Sequence, residues 1–360
     1  MDYWKHSGYG KEVKEIAARV RQSGCFQEKT VVVTGARGMI GSELIDTLMY
    51  ANRRWKLNCR IYAVVRNMQE AQRRFAGYPD TGCFVLCKAD LNTERMDINE
   101  NVDYVIHAAS NTHPLSYAER PIETILTNTL GTYHTLEFAS GHHCRRYLFL
   151  SSVEVYGEDR ADTQAFAEDD CGYIDCNTLR AGYPEGKRAG EALCQAYASE
   201  KGLDYVIARL ARCYGPGLLA EDTKALSQFL NNGLAGENIV LKSDGKQQYS
   251  YLYAADAVDA LLFLIKNGKS KEAYNVKGKD SDITLRRLAG MAAELAGTQV
   301  VFQKPGTGPE EAGYSRAVKA ILDGSKLEKL GWTAGTSLRE GMEKVFLIHG
   351  AWNKQKQEGL

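Results

Sequence analysis

The sequence lacks a net charge: forty-five Lys and Arg balance forty-five Asp and Glu. Without a field of one sign the chain has no general attraction for nucleic acid or an anionic membrane, so an anionic ligand needs locally placed positive groups. Proline is scarce, seven in 360 residues. No uninterrupted apolar run approaches the ~18 residues that would span a bilayer. Met1-Asp2-Tyr3-Trp4-Lys5-His6 has none of the apolar core of a secretory signal.

Cysteine is present in odd number, nine, at Cys25, Cys59, Cys83, Cys87, Cys144, Cys171, Cys176, Cys194 and Cys213. That scatter does not suit a disulfide-stapled secreted fold. Neither Cys83/Cys87 nor Cys171/Cys176 has the two-residue spacing of a zinc knuckle, so no metal is expected. The expectation is a cytoplasmic chain with reduced thiols. What remains is an ordinary globular composition, with 44% apolar and 25% charged residues, enough to build a sizeable core. The length predicts about two domains.

Residues 1–27 read as an extension in which Val13, Ile16, Ala17 and Val20 recur at helical spacing, an amphipathic helix for packing on the main body. Thr30-Val31-Val32-Val33-Thr34 then opens a series of β-branched, apolar runs: Arg60–Val65, Cys83–Leu86, Val102–His107, Arg146–Leu150 and Asp204–Ala208. Helical stretches separate them, the longest at Gly38–Tyr50, Pro121–Ala139 and Tyr183–Lys201. Strands alternating with helices predict an α/β fold, a Rossmann-type doubly wound parallel sheet. After residue 213 the helices shorten and brief strands are expected near Ile239–Leu241, Ala273–Val276 and Gln299–Phe302. The predicted organisation is a dinucleotide-binding unit over 28–212, a smaller, partly interleaved substrate-binding α/β unit over 213–352, and a frayed charged tail over 353–360.

Gly35, Gly38 and Gly41 stand three apart in Thr34-Gly35-Ala36-Arg37-Gly38-Met39-Ile40-Gly41, directly after the first strand and at the start of a helix. Absent side chains permit a tight turn there, and backbone N–H groups at the helix start hold pyrophosphate. The second strand ends on Arg66, where an NAD-preferring fold usually has an acid for the ribose hydroxyls. Arg66 tilts the reading toward the 2′-phosphate of NADP. Asp90-Leu91 and His107-Ala108-Ala109, after the third and fourth strands, would line the adenine and ribose.

Tyr183-Pro184-Glu185-Gly186-Lys187 puts a phenol and an ammonium four residues apart, on one helical face. A neighbouring cation favours the phenolate, which can take a hydroxyl proton. A second Tyr-x-x-x-Lys, Tyr197 with Lys201, lies about 21 Å further along the same helix, away from the strand ends where ligands bind, and reads as packing. Ser152, at the end of the fifth strand, is placed to bond the reacting hydroxyl and Tyr183. Glu154 is an acid among valines, and an inward-facing carboxyl would have a raised pKa and could move a proton.

Together these residues resemble the extended short-chain dehydrogenase/reductase family of nucleotide-sugar-modifying enzymes, collinearly from about residue 28 to 350. Within it the likeness is greatest to the UDP-glucuronate decarboxylase branch. It is carried by Pro121-Ile122-Glu123-Thr124 through Thr127-Asn128-Thr129, Glu154-Val155-Tyr156-Gly157, Arg180 through Arg188, and Tyr214-Gly215-Pro216. The resemblance implies a bound NAD, oxidation of a nucleotide sugar at C4, and a homodimer paired through the helices at Pro121–Ala139 and Tyr183–Lys201, part of which the N-terminal helix would cover. By position it makes Tyr183 the base, Lys187 its tuner, Ser152 the partner of the C4 oxygen and Glu154 an assistant. Cofactor contacts fall on Gly35, Arg37, Gly38, Met39, Ile40, Gly41, Arg66, Asp90, Leu91, Ala108, Ala109, Asn128, Tyr183 and Lys187. Ser110, Arg212 and Tyr249 are candidate substrate contacts.

The chain departs from the family pattern at five positions. Val153 replaces Ser or Asp, Arg212 replaces Asn, Gly217 and Tyr249 each replace Arg, and Arg66 replaces an acid. The resemblance therefore leaves several reactions open: decarboxylation of UDP-glucuronate, 4-epimerisation, 4,6-dehydration, or reduction with a dissociating NADP. A reading of another class, a regulatory subunit without turnover, fits poorly with retention of Ser152, Tyr183 and Lys187.

Overall fold

The computed structural model describes residues 7–78, 82–93, 95–112, 114–158, 163–218, 222–303 and 317–358. Its centre is a seven-stranded sheet, every neighbouring pair parallel. In chain order the strands are β1 (Thr30–Thr34), β2 (Arg60–Val65), β3 (Phe84–Lys88), β4 (Tyr104–His107), β5 (Arg146–Ser152), β6 (Tyr205–Leu210) and, after three short strands of the second unit, β10 (Glu272–Val276). They lie side by side as β10-β6-β5-β4-β1-β2-β3. The order reverses between β1 and β4, and a crevice opens outside the strand ends at such a switch.

Alternate residues of each strand serve opposite faces. Val31 and Val33 pack into one core with Leu44, Ile45 and Leu48 of α2 (Met39–Trp55) and Leu261 and Leu264 of α8 (Ala254–Asn267). Val32 faces the other core, with Leu136 and Phe138 of α5 (Pro121–Gly141) and Cys194 and Tyr197 of α6 (Gly182–Glu200). The β-branched runs are therefore buried on both sides, which explains why they read as continuous apolar strands.

The N-terminal helix, α1 (Ser7–Ser23), buries Val13, Ile16, Ala17 and Val20, as its spacing predicts. Each of the three larger side chains contributes roughly 1.5–3 kcal/mol of burial. It packs on α2, α8 and the C-terminal helix Leu338–Glu358. Two polar tethers fix it there. Tyr9 donates to Asp46 at 2.5 Å, and Glu12 accepts from Tyr253 at 3.0 Å and pairs with Lys344 at 3.1 Å. The helix thus covers the sheet face opposite α5 and α6, not the expected pairing surface. Its carboxylate and phenol find their partners on α2, the strand Gln248–Tyr253 and the C-terminal helix, and α5 and α6 supply none of them.

Two further expectations are corrected. Ala273–Val276 belongs to the large sheet, because β10 pairs in parallel with β6. The chain therefore returns to the first unit after leaving it. The segment 353–358 continues the C-terminal helix to Glu358 and is not frayed backbone; residues 359–360 lie outside the described residues.

The second unit holds a small sheet in which β9 (Gln248–Tyr253) pairs with β7 (Arg212–Tyr214), β11 (Asp282–Thr284) and β13 (Lys319–Ala320). A separate pair, β8 (Ile239–Leu241) and β12 (Val300–Phe302), packs with α7 (Ala225–Leu234) and α9 (Leu285–Ala296). Register Arg212↔Tyr251 brings β7 against β9 immediately after β6 ends, which seats the second unit at the carboxyl ends of the main strands. Among the described residues no helix is long and apolar enough to cross a membrane.

Candidate active site

The glycine loop is shaped by close backbone approach. Gly35 has φ +63°, and a Cβ there would lie 2.6 Å from the carbonyl oxygen of Ala108. A Cβ on Gly41 would lie 2.4 Å from the oxygen of Gly35. Gly38 N-caps α2 in an extended conformation without any side-chain cap, leaving first-turn N–H groups of Met39, Ile40 and Gly41 directed at the crevice. This cradle fits a pyrophosphate. Gly217 stands across from it: a Cβ there would be 3.1 Å from Met39 Cγ. The position that departs from the family arginine thus has little room for any side chain.

Thr34 links this loop to β4, its Oγ1 2.8 Å from His107 Nδ1 and accepting from Ala109 N–H at 3.1 Å. Burial, aided by the Lys187 charge, pushes His107 down to about 3, so the imidazole is neutral. Asp90 accepts from Asn92 N–H at 3.1 Å, and the Leu91 carbonyl accepts from His134 at 2.7 Å. Both shape the loop after β3. Arg66 directly follows β2 and pairs with Glu123 of α5, with Asn111 at 3.5 Å. Arg37 pairs with Glu70 of α3 (Met68–Arg74). Both arginines are exposed, and both are already matched by a carboxylate.

Ser110 donates to Asn128 Oδ1 at 2.9 Å, while the Asn128 amide donates to the Thr124 carbonyl at 2.8 Å. Asn128 is thereby committed to holding the loop after β4 on α5. A Cβ on Gly186 would lie 2.7 Å from Asn128 Cβ, and one on Gly190 would lie 2.5 Å from the Phe149 ring. These two glycines let α6 approach α5 and β5 closely, which brings the next group of residues together.

Tyr183 lies in the first turn of α6 and is buried, its phenol close enough to the Ser152 hydroxyl for that group to act on its ionisation. Ser152 also accepts from Glu154 N–H at 3.3 Å, capping the short 3₁₀ turn Val153–Tyr156. One turn along α6, Lys187 donates to the Leu150 carbonyl at 2.8 Å, 6.0 Å from the Tyr183 ring and 4.9 Å from that of Phe149. Burial pushes Tyr183 up to about 12, partly offset by the Ser152 hydroxyl. Burial pulls Lys187 down to about 7, with Glu191 opposing it. Ser152, Tyr183 and Lys187 thus form one connected group at the strand ends. Tyr197 is elsewhere, donating to Glu137 at 2.5 Å as a packing residue.

Glu154 departs from expectation. It faces inward, but between two guanidiniums: Arg180 bonds Oε2, and Arg212 Nη2 lies 3.2 Å from Oε1. Burial pushes the carboxyl upward, yet Arg180 and Arg212 outweigh it and hold the group below the usual carboxylate range. Arg212 lies over the Tyr249 ring, 3.9 Å from its centre, and Tyr249 donates to the Ala317 carbonyl at 2.9 Å. Tyr117, on α4 (Pro114–Glu119), stacks on Tyr183 with ring centres 4.9 Å apart and receives Arg180 on its ring at 5.6 Å. Sequence reasoning assigned no role to Tyr117, Arg180 or Glu123. Arg180 and Glu123 carried a signal only as parts of the stretches that resemble the family, and Tyr117 carried none. Among the described residues no three His, Cys, Asp or Glu side chains group as a metal site.

Residues 31–276 match the NAD dependent epimerase/dehydratase family. Among curated relatives, UDP-glucuronic acid decarboxylase 6 of Arabidopsis thaliana is 31% identical over 90% of this chain and 90% of its own length. UDP-glucuronic acid decarboxylase 1 of Xenopus tropicalis is 29% identical over 88% of this chain and 71% of its own. Among solved structures, an epimerase of Methanothermobacter thermautotrophicus superposes with TM-score 0.78 at 21% identity, covering 94% of this chain and 97% of that one. The UDP-glucuronic acid 4-epimerase of Bacillus cereus, solved with UDP-glucuronic acid and NAD, gives 0.73 at 20% identity, covering 89% and 99%. The family match spans most of the chain, including both the glycine cradle and the Ser152, Tyr183 and Lys187 group, and so this protein belongs to the NAD dependent epimerase/dehydratase family.

Proposed function

We propose that the protein is a nucleotide-sugar enzyme working through a transient 4-keto sugar, most like UDP-glucuronate decarboxylase. The observation that carries this reading is the placement of the buried Tyr183 phenol beside Ser152 at the strand ends, with Lys187 one helical turn away. A nicotinamide dinucleotide, when bound on the Gly35–Gly41 cradle, supplies the hydride acceptor and donor. Tyr183 takes the proton of the C4 hydroxyl, Ser152 hydrogen-bonds that same oxygen, and the Lys187 ammonium favours the phenolate. Val153 places no acid beside Glu154, which disfavours 4,6-dehydration. Glu154, held ionised by two arginines, is a poor proton donor. That specific feature favours 4-epimerisation of the same substrate as a second reading, since it requires no proton at the neighbouring carbon.

For the cofactor we assign NAD over NADP. Arg66 and Arg37 are matched by Glu123 and Glu70, so these four groups present no net positive field to a 2′-phosphate. Glu123 stands where it could accept ribose hydroxyls in place of the acid missing at position 66. We also place a second copy of the chain on α5, where Ile122, Ile125, Leu130 and Tyr133 are exposed, and expect the enzyme to act in the cytoplasm.

The test is a proton NMR time course of the purified protein with UDP-glucuronate and NAD. A UDP-pentose product establishes decarboxylation, UDP-galacturonate establishes epimerisation, and an unchanged spectrum rejects this substrate. Tyr183→Phe should abolish either conversion while leaving dinucleotide binding intact.

A further inference from the structure

Arg212 carries an unmet bonding capacity. Its Nε and Nη2 atoms are buried, and neither has a hydrogen-bond partner among the described residues. Glu154 Oε1 is 3.2 Å from Nη2 but outside hydrogen-bond geometry, so that contact is an ion pair only. Nε and Nη2 share one edge of the guanidinium plane, the edge that receives two oxygens of a carboxylate or phosphate in parallel. Buried donors left without partners are costly. The guanidinium itself is held in place over Tyr249, 3.9 Å from the ring centre.

Charge points the same way. One carboxylate, Glu154, lies between two guanidiniums, Arg180 and Arg212, so Arg212 does not have that carboxylate to itself. The location selects which part of a ligand meets it. Glu154 donates its N–H to Ser152 at 3.3 Å, and the Ser152 hydroxyl neighbours the Tyr183 phenol. Tyr117 links the two ends, stacking on Tyr183 while interacting electrostatically with Arg180, Glu154 and Arg212. Arg212 therefore borders the space beside the proton-transfer phenol, where the sugar ring belongs, and Glu154 serves to orient it.

We infer that Arg212 is a specificity-determining residue that receives an acidic group carried on the sugar ring itself, with Glu154 as its positioning partner. This rests on the nucleotide-sugar reading above and deepens it. It moves selection for a uronate to a position where the family pattern has a neutral Asn.

Calorimetric binding of UDP-glucuronate and of UDP-glucose to the NAD-loaded protein tests it, in wild type, Arg212→Lys and Arg212→Gln. The wild type should bind the uronate at least about tenfold more tightly than the hexose. Arg212→Lys keeps the charge for Glu154 but loses the two-pronged edge, and should remove most of that preference. Binding of UDP-glucose within about twofold of wild type would show that the variant is folded. Equal losses for both ligands would assign Arg212 to the diphosphate and overturn the inference. Equal wild-type affinity for the two ligands, or binding of neither, overturns it as well. A uronate preference lost in the variants, without turnover in the NMR assay, would uphold Arg212 while rejecting the proposed reaction. Turnover without a preference would do the reverse.

Discussion

Lys187 donates to the carbonyl oxygen of Leu150 at 2.8 Å from a fully enclosed position near the Tyr183 and Phe149 rings. One neutral acceptor does not replace the hydration of an ammonium, and burial accordingly brings its pKa down to about 7 from 10.5. Between those values the unfolded chain binds a proton that the folded chain does not, so this group makes stability rise with pH from about 7 to about 10.5. Lys187→Met should therefore be more stable than wild type at about pH 6, by a few kcal/mol at ~1.4 kcal/mol per unit, with the gap closing toward about pH 9. Turnover should fall by roughly 10²-fold or more. Urea unfolding at the two pH values checks the first statement. A gap independent of pH would mean that burial does not lower the Lys187 pKa.

The glycine cradle makes a sharper steric claim. Gly35→Ala meets both a positive φ and the Ala108 carbonyl at 2.6 Å, and Gly41→Ala meets the Gly35 carbonyl at 2.4 Å. Both variants should lose NADH binding, read by fluorescence titration, because the loop cannot open without displacing β4. Gly290, in the middle of α9, has open space where an alanine methyl would stand. Gly290→Ala should leave binding unchanged and add roughly 0.5–1 kcal/mol of stability.

Much of this site was legible before the structure because its determinants are local. β-branched runs mark strands buried on both faces, and three glycines at fixed spacing mark the turn between β1 and α2. Tyr183 and Lys187 share a helix, so their spacing alone places them on one face. What depends on distant segments was not legible. The ionised state of Glu154 is set by Arg180 and Arg212, which the short turn Leu179–Ala181 ahead of α6 and the start of β7 bring to it from distant parts of the chain. The Tyr117–Tyr183 stack likewise joins two helices by tertiary packing. β10 follows the small-unit segments in sequence, and its membership of the large sheet is decided by pairing with β6, which no local pattern announces. β9, Gln248–Tyr253, alternates Tyr with Ser and Leu but is buried from Tyr249 onward, so its polar residues offer no exposed face to read.

The matched charges near the cofactor loop predict discrimination between dinucleotides. Wild type should bind NADH more tightly than NADPH, since Glu123 neutralises Arg66 and Glu70 neutralises Arg37. Glu123→Gln releases Arg66 and should improve NADPH binding by up to about fivefold, the scale of an exposed ion pair. Fluorescence titration of both nucleotides reads the ratio. Tighter binding of NADPH by the wild type would show that Arg66 leaves Glu123 for the phosphate, and would restore the preference that Arg66 suggests in isolation.

Glu154 makes a pH prediction of the same sign as Lys187, stability rising with pH, but in the acid range. Its folded pKa lies below the ordinary 4.5 because Arg180 and Arg212 outweigh burial, so its stabilisation is fully present above that value and is lost as pH falls through the lower, folded one. Glu154→Gln keeps the shape but leaves two guanidiniums facing each other in a nearly enclosed space, which should cost about 3 kcal/mol at neutral pH. Below about pH 4 the wild type should lose its advantage while the variant has none to lose, so the two unfolding curves converge. Parallel curves down to the lowest pH at which the protein stays folded would mean that Glu154 is not the ionised brace between these arginines. The assignment of proton transfer to Tyr183 alone would then have to be withdrawn in favour of a shared role.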